Sequence, residues 1–564
     1  MGKDIKRSSV WSEMNRGYRW QVENYVSYNQ TFDEKHNISA VLGQSAQKYK
    51  RRQLHGSDYD LLENIPGKAN LNSATADRDD ERVFGGTDQG MNFHSLASYF
   101  GRIDYNYDER YMVQATVRRD GSSNFGSNNK WATFPAVSLG WNVLNEPYLN
   151  NIPAWFTSFK LRFSWGKNGN ERIGPFLYTS LNDRDQNYYY GGGYDISKKG
   201  KDGVMQFGGS PSRIANPDIK WEESEQIDLG FDARFLRNAL SFSFDYYKKK
   251  TNGMLMFKPI PGYVGHDAAP MSNLGDMDNS GLEFEIAWKH DIGDFNYHIS
   301  ANASYMKNKL IKLGNANGEA IYEDAGASGV GSFIKGKNDE VWPYFYGYKT
   351  NGLFQNEAEI KAYTNSKGEL MQPNARPGDV RFVDLNDDGV IDDSDKTKIG
   401  KGMPDWSFGF TLGAEYKGFD LNLFFQGTAG NDIFDFSQRG DIPAMNRPSW
   451  YLDRWHGEGT SNTIPRMTNE NPNQNWRSSD LYVKSGSYLR LKTAQIGYTI
   501  PEILTRKVSL QRARVYVSAE NLLTFTGYTG FDPEVATGDY NRIGVDRGIY
   551  PQARTISIGA NITF

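Results

Sequence analysis

The feature that most constrains this chain is a strict alternation of apolar and polar residues, repeated in segments of about ten residues. At the end of the sequence Ile556, Ile558, Ala560, Ile562 and Phe564 share one parity, while Thr555, Ser557, Gly559, Asn561 and Thr563 share the other. Trp406, Phe408, Phe410, Leu412, Ala414 and Tyr416 alternate likewise with Ser407, Gly409, Thr411, Gly413 and Glu415. After Lys417-Gly418 the pattern resumes with Phe419, Leu421, Leu423 and Phe425. Successive side chains on a strand point to opposite faces, so each segment presents one greasy and one hydrophilic face. About ten residues is what a tilted strand needs to cross a bilayer. The predicted fold class is therefore all-β, a transmembrane antiparallel β-barrel. A soluble β-sandwich or propeller also alternates apolar and polar residues. The length of these strands, and a chain that ends on an aromatic residue inside one of them, favour the barrel.

About fifteen such strands are expected, beginning near residues 18, 35, 93, 110, 133, 157, 223, 239, 281, 294, 405, 418, 487, 512 and 553. Short links near 31–34, 107–109, 145–156, 236–238, 291–293, 417–418 and 501–511 alternate with long ones over 48–92, 119–132, 168–222, 251–280, 307–404, 428–486 and 522–552. Membrane barrels have short periplasmic turns and longer extracellular loops, which gives every strand a direction and puts the C-terminus in the periplasm.

Composition agrees with this reading. The mean hydropathy is only −0.68, and no run approaches the roughly 18 apolar residues of a membrane-spanning helix. A barrel hides its apolar band in alternate residues, so low hydropathy does not count against it. The 34 Tyr, 32 Phe, 13 Trp and 58 Gly suit pleated surfaces joined by many turns. The absence of cysteine removes disulfides, thiolate zinc sites and thiol catalysis. A net charge of −4 leaves no basic footprint for nucleic acid. The segment GKDIKRSSVW after Met1 has no apolar run and does not read as a signal peptide.

One motif has the spacing of a calcium-binding loop. Asp384, Asn386, Asp388, Gly389, Val390, Asp392 and Asp395 follow the pattern D-x-N-x-D-G-x-I-x-x-x-D. Alternate oxygen donors converge on one point, and Gly389 permits the sharp turn that brings the Val390 carbonyl to a hard cation. The expected ligands of a structural Ca²⁺ are thus Asp384, Asn386, Asp388, Val390, Asp392 and Asp395. Asp395 stands where a bidentate Glu is usual, and the competing reading is an acidic solvated turn. Tyr188, Tyr189, Tyr190 and the run Trp342–Tyr348 are candidates for stacking on sugars or peptides, or for girdle and loop packing. Asp420, Asn422 and Gln426 are expected to face a watery lumen. The seven histidines are scattered, and no H-E-x-x-H, G-x-S-x-G or Walker A pattern occurs, so no catalytic residue is assigned.

Several blocks resemble the SusC/RagA family of Bacteroidota outer-membrane transporters: SLASYFGRIDYNYDERY (Ser95–Tyr111), RRDGSSNFG (Arg118–Gly126), FPAVSLGWNVLNEPYL (Phe134–Leu149), PGDVRFVDLNDDGVIDDSDKTKIG (Pro377–Gly400), YKGFDLNLFFQGTAGNDIFDF (Tyr416–Phe436), SYLRLKTAQIGYTIP (Ser487–Pro501), RVYVSAENLLTFTGYTGFDPEV (Arg514–Val535) and YPQARTISIGANITF (Tyr550–Phe564). The resemblance implies a barrel of about 22 strands with a plugged lumen, located in the outer membrane. It also implies drive from the TonB–ExbB–ExbD complex, a SusD-like surface lipoprotein as partner, and a large nutrient, oligosaccharide or oligopeptide, as ligand. Signal peptide, TonB box, plug and about the first seven strands of such a barrel have no counterpart in residues 1–564. The chain is therefore expected to be a C-terminal barrel portion, with a long extracellular loop 307–404 carrying the calcium-type segment 384–395. The alternative reading is a passive porin-like channel or a barrel-anchored surface adhesin.

Overall fold

The computed structural model describes residues 8–564 apart from 64, 66, 76–82, 88–92, 150, 181, 184–187, 191–203, 207–209, 212, 259, 261–268, 315–320, 324–329, 438–445, 469 and 536–539. Among the described residues one sheet dominates, with fifteen strands in chain order along its path. These are β1 (Ser9–Phe32), β2 (His36–Tyr59), β3 (Phe93–Tyr107), β4 (Tyr111–Ser122), β5 (Trp131–Asn142), β6 (Phe156–Asn170), β7 (Glu222–Phe235), β8 (Leu240–Phe257), β9 (Met271–Ile292), β10 (Phe295–Lys312), β11 (Trp406–Tyr416), β12 (Phe419–Ala429), β13 (Tyr488–Thr499), β14 (Arg512–Thr526) and β15 (Thr555–Thr563). A short strand, Val83–Thr87, also pairs with β2. Every strand read from the alternation is present. Several run further than it indicated: β1 begins at Ser9 rather than near 18, and β9 at Met271 rather than near 281.

The chain divides into two compact units. The first comprises residues 1–141, 163–227 and 250–276. It holds β1 to β5 in antiparallel succession, with portions of β6 to β9. A small core of Phe125, Phe134, Ile219 and Trp221 closes its loops. The second unit comprises residues 142–162, 228–249 and 277–564. It holds the remaining portions of β6 to β9 and the antiparallel run β10 to β15. Among the described residues β1 has β2 as its one neighbour on the path, and β15 has β14.

Registry lines up the greasy faces. In the second unit Ile299 lies opposite Leu412, Leu412 opposite Leu423, and Leu423 opposite Ala494. Leu421, Ile496, Val517 and Ile558 form the next row. These rows are not covered by a second layer: Ile496 is 54% and Ile558 84% exposed. Burial of such a stripe is worth about 25 cal/mol per Å², so its exposure marks a surface meant for another apolar medium. The long and short ends of the band carry aromatic rings. Tyr305 and Trp406 pack 4.9 Å apart at the long-loop end. Phe295 with Tyr416 (6.3 Å) and Phe419 with Tyr498 (4.6 Å) lie at the short-turn end. From Trp406 to Tyr416 the strand runs about 34 Å, or about 26 Å of height at a usual barrel tilt. A lipid-facing band between two girdles is about 25 Å tall. The first unit repeats the pattern, with Tyr107, Tyr111 and Trp141 stacked in series beside the 107–111 turn.

The short turns are tight. Lys417 and Gly418 have φ of 47° and 88°, the left-handed pair of a two-residue hairpin whose twist matches the flanking strands. Gly serves the second position because a Cβ there would meet the Thr499 carbonyl at 2.8 Å.

Candidate functional site

The long connections of the second unit fold into a body of their own above the girdle of Tyr305 and Trp406. The described residues of 313–405, 430–487 and 527–554 supply it. A three-stranded sheet joins all but the first, with Phe434 opposite Val483 on one side and Val545 on the other. The first excursion joins through side chains: Phe333 stacks 3.9 Å from Phe434, and Val330, Ile334, Phe345 and Ile399 pack around them. A second core of Tyr348, Leu353, Val380 and Phe382 lies in the same excursion. These cores form because the loops, unlike ordinary connections, carry dense aromatic and aliphatic residues with no other place to bury them.

That packing decides the fate of the aromatic candidates. Tyr344, Phe345 and Tyr348 are buried, so three rings of the Trp342–Tyr348 run serve as core and are withdrawn from any ligand. The backbone of Tyr188–Tyr190 pairs with Val204–Gln206; the side chains of these tyrosines lie outside the described residues.

The calcium-type segment forms a self-bonded turn. Asp384 Oδ2 accepts from Gly389 N at 2.7 Å, and Gly389 takes φ of 85° as the motif requires. Asp388 Oδ1 accepts from Val390 N (2.9 Å), while Asn386 Oδ1 accepts from Asp388 N (3.0 Å). Asp395 is fully buried, and its two oxygens accept from the backbone N–H groups of Leu385 and Asp392. Asp392 caps the following turn through Ser394 N. Bonds from the Ser394 hydroxyl and backbone hold the Asp392 carboxyl below the usual carboxylate range. Lys396 does the same for Asp393 by a 2.8 Å contact that outweighs partial burial. Arg477, stacked 4.0 Å over Phe382 and 4.4 Å over Tyr348, stands nearby. Among the described residues no three acidic or histidine groups are gathered as a metal cage. Asp384 Oδ1 is the exception to this self-sufficiency, a buried acceptor without a hydrogen-bond partner.

On the wall, Asp420, Asn422 and Gln426 share the face opposite Leu421, Leu423 and Phe425, as alternation requires. Asp420 Oδ1 accepts from Arg514 Nε at 2.8 Å. Asn422 sits opposite Gly413 and Gln495, and Gln426 opposite Gly409 and Arg490. With His298, Arg512 and Arg514, the first two line a polar cavity of about 600 Å³. A larger cavity of about 750 Å³ lies near the long-loop end, walled by lysine and carboxylate pairs such as Lys401 with Asp405, Lys309 with Asp339 and Lys398 with Glu340.

A third cavity, of about 630 Å³, lies among the loops and was not read from the sequence. Trp450, Tyr451, Trp476 and Tyr482 provide its rings, and Asn462, Thr463 and Thr529 its neutral polar groups. Its acids are taken. Asp435 holds Lys484 at 2.6 Å, and Asp480 accepts from Thr350 N (3.1 Å) and faces Lys349 at 3.6 Å. Burial raises the hydroxyls of Tyr451 and Tyr482 above their usual titration range. The only sequence signal for this site was the clustering of Trp450, Tyr451 and Trp476 in a polar stretch.

Comparison with known proteins agrees with the all-β fold. Residues 4–522 match the family model "TonB dependent receptor-like, beta-barrel". The chain is 34% identical over 556 residues to TonB-dependent receptor P3 of Formosa agariphila, covering 96% of this chain and 52% of that protein. It is 28% identical over 480 residues to TonB-dependent receptor SusC of Bacteroides thetaiotaomicron, covering 84% and 44%. The chain thus spans about half the length of these relatives. The structure of the RagAB peptide transporter superposes with a TM-score of 0.77 at 23% identity, over 99% of this chain and 56% of that one. The family comprises receptors and transporters rather than enzymes. With its fifteen-strand, mostly antiparallel sheet, its uncovered apolar band and these matches, the chain belongs to the TonB-dependent receptor-like β-barrel family.

Proposed function

We propose that this chain supplies barrel wall and extracellular loops to an outer-membrane importer of bulky nutrients, an oligosaccharide or oligopeptide, driven by TonB–ExbB–ExbD and capped by a SusD-like surface lipoprotein. The strongest support is the combination of an apolar band of membrane height with a folded loop body on its long-loop side. The relatives carry TonB dependence in their names, and the RagAB neighbour is described as a peptide transporter. The polar cavity at Asp420 and Asn422 on the hydrophilic face gives a solute groups to exchange hydrogen bonds with as it passes. Uptake of the nutrient by cells expressing the transporter should cease when TonB is depleted, and the lipoprotein should copurify with it. Uptake that persists without TonB would move the chain to the porin-like class.

Within this reading the 384–395 loop takes a structural Ca²⁺. Support comes from its ligand-type spacing, from Gly389 and from the unpartnered Asp384 Oδ1. Binding requires Asp388 and Asp392 to exchange their turn hydrogen bonds for the cation, which favours the weak, millimolar affinity of extracellular modules. Calcium at millimolar concentration should protect residues 384–395 from protease, and Asp388→Ala should remove that protection. Equal cleavage with calcium and with chelator discards the cation.

A further inference from the structure

The loop cavity of Trp450, Tyr451, Trp476 and Tyr482 is flanked by positive charge that, among the described residues, no carboxylate balances. Arg447 lies 5.3 Å from the ring centres of both Tyr451 and Trp476. Its Nε and Nη1 are buried without a hydrogen-bond partner. Arg454 reaches the Tyr451 carbonyl at 3.5 Å. Among the described residues neither arginine has a carboxylate partner, whereas Asp435 and Asp480 beside them are already paired with lysines. The Tyr451 and Tyr482 hydroxyls, buried beside the same cavity, also lack partners. An uncompensated guanidinium in a low-dielectric wall projects a positive potential into the space it borders. Indole and phenol faces next to neutral Asn and Thr groups suit a ring with an apolar face and hydroxyl rim.

We propose that this cavity is a recognition site for an acidic sugar of the nutrient, a uronate whose carboxylate is held by the field of Arg447 and Arg454 while its ring lies against the aromatic wall. A peptide fits less well. An extended peptide is recognised by adding to a strand edge, but the free donors along Thr350–Leu353 are already used, Thr350 N by Asp480 and Leu353 N by Asn462 at 2.9 Å. The site deepens the import reading and rests on it, naming the chemical class of the cargo.

The test uses the purified transporter on a glycan array that sets uronate oligosaccharides beside their carboxyl-reduced counterparts, with free-acid and amidated peptides on the same slide. Binding should concentrate on the uronates, at least about 10-fold over the reduced forms, which is about 1.4 kcal/mol. Arg447→Gln and, separately, Arg454→Gln should erase that preference while leaving thermal melting in place. Trp450→Ala should weaken acidic and reduced glycans alike. Preference for neutral glycans, preference for peptides, or an unchanged uronate ratio in both arginine variants overturns the proposal. TonB-dependent uptake of a neutral nutrient, with none of uronate oligosaccharides, by the strain carrying the unsubstituted transporter would overturn this site alone and leave the import function standing.

Discussion

Asp379 is fully buried and shows how single residues hold the loop body. Its carboxylate accepts from Arg466 Nε at 2.7 Å, Asn475 Nδ2 at 2.9 Å and Arg376 N at 2.9 Å. A buried charge with all its acceptors filled is tolerated; a buried charge stripped of its partner is not. Arg466→Ala should therefore destabilise the loop body by about 3–5 kcal/mol, seen as lost hydrogen-exchange protection over residues 372–382, with the wall strands unaffected. On the wall, adjacent residues should respond oppositely. Leu423 faces lipid and Asn422 the polar side, so Leu423→Arg should cost about 2–4 kcal/mol in lipid vesicles, and Asn422→Arg far less. Equal costs in urea titrations would mean that the faces are assigned wrongly. The alternation that sets these two faces is local, which is why it was legible from residues alone.

At the scale of elements, β13 shows a correction that alternation concealed. Leu489 and Leu491 share a face, but Ala494, Ile496 and Tyr498 carry the opposite parity. Against β12 the register shifts at Lys492, since Phe425 pairs with Leu491 but Phe424 with Thr493, so one extra residue on β13 restores the apolar face. The bulge lets Arg490 and Lys492 serve one acceptor: Glu534 takes Arg490 Nη1 at 2.8 Å and Lys492 Nζ at 2.6 Å. Asp532 completes the clamp on Arg490 and accepts from Gln552 N at 2.9 Å. Burial opposes ionisation of Asp532, yet backbone donors and Arg490 together hold it below its ordinary value of 3.8. A carboxylate depressed by folding stabilises above its unfolded value and loses that contribution as pH falls through the folded one. The 527–554 segment should thus stay protected from exchange down to about pH 4 and loosen only below it. Loosening between pH 5 and 7 would assign the clamp to another group. The slip in parity was present in the sequence, but the alternation gives no means of telling a bulge from a strand end.

For the molecule as a whole, the edge strands set behaviour. β1 and β15 each leave one side without a wall strand among the described residues, and an open edge in lipid leaves backbone groups unsatisfied. Residues 1–564 produced alone should migrate without the heat-modifiable shift of a closed barrel and should associate through these strands. A monomer with that shift would show that the wall closes unaided. The fifteen strands, their short turns and the membrane-height band were determined by the sequence itself, because side-chain parity and turn chemistry act over a few residues. The loop body and the cavity of Trp450 and Tyr451 were decided only by tertiary structure. Their contacts join residues far apart, as Gln372 does with Asn473 at 2.8 Å and Thr350 with Asp480 at 2.6 Å. No local pattern specifies which of many aromatic loop residues meet. Burial therefore turned Tyr344, Phe345 and Tyr348 into core and left the rings around Arg447 to line a cavity.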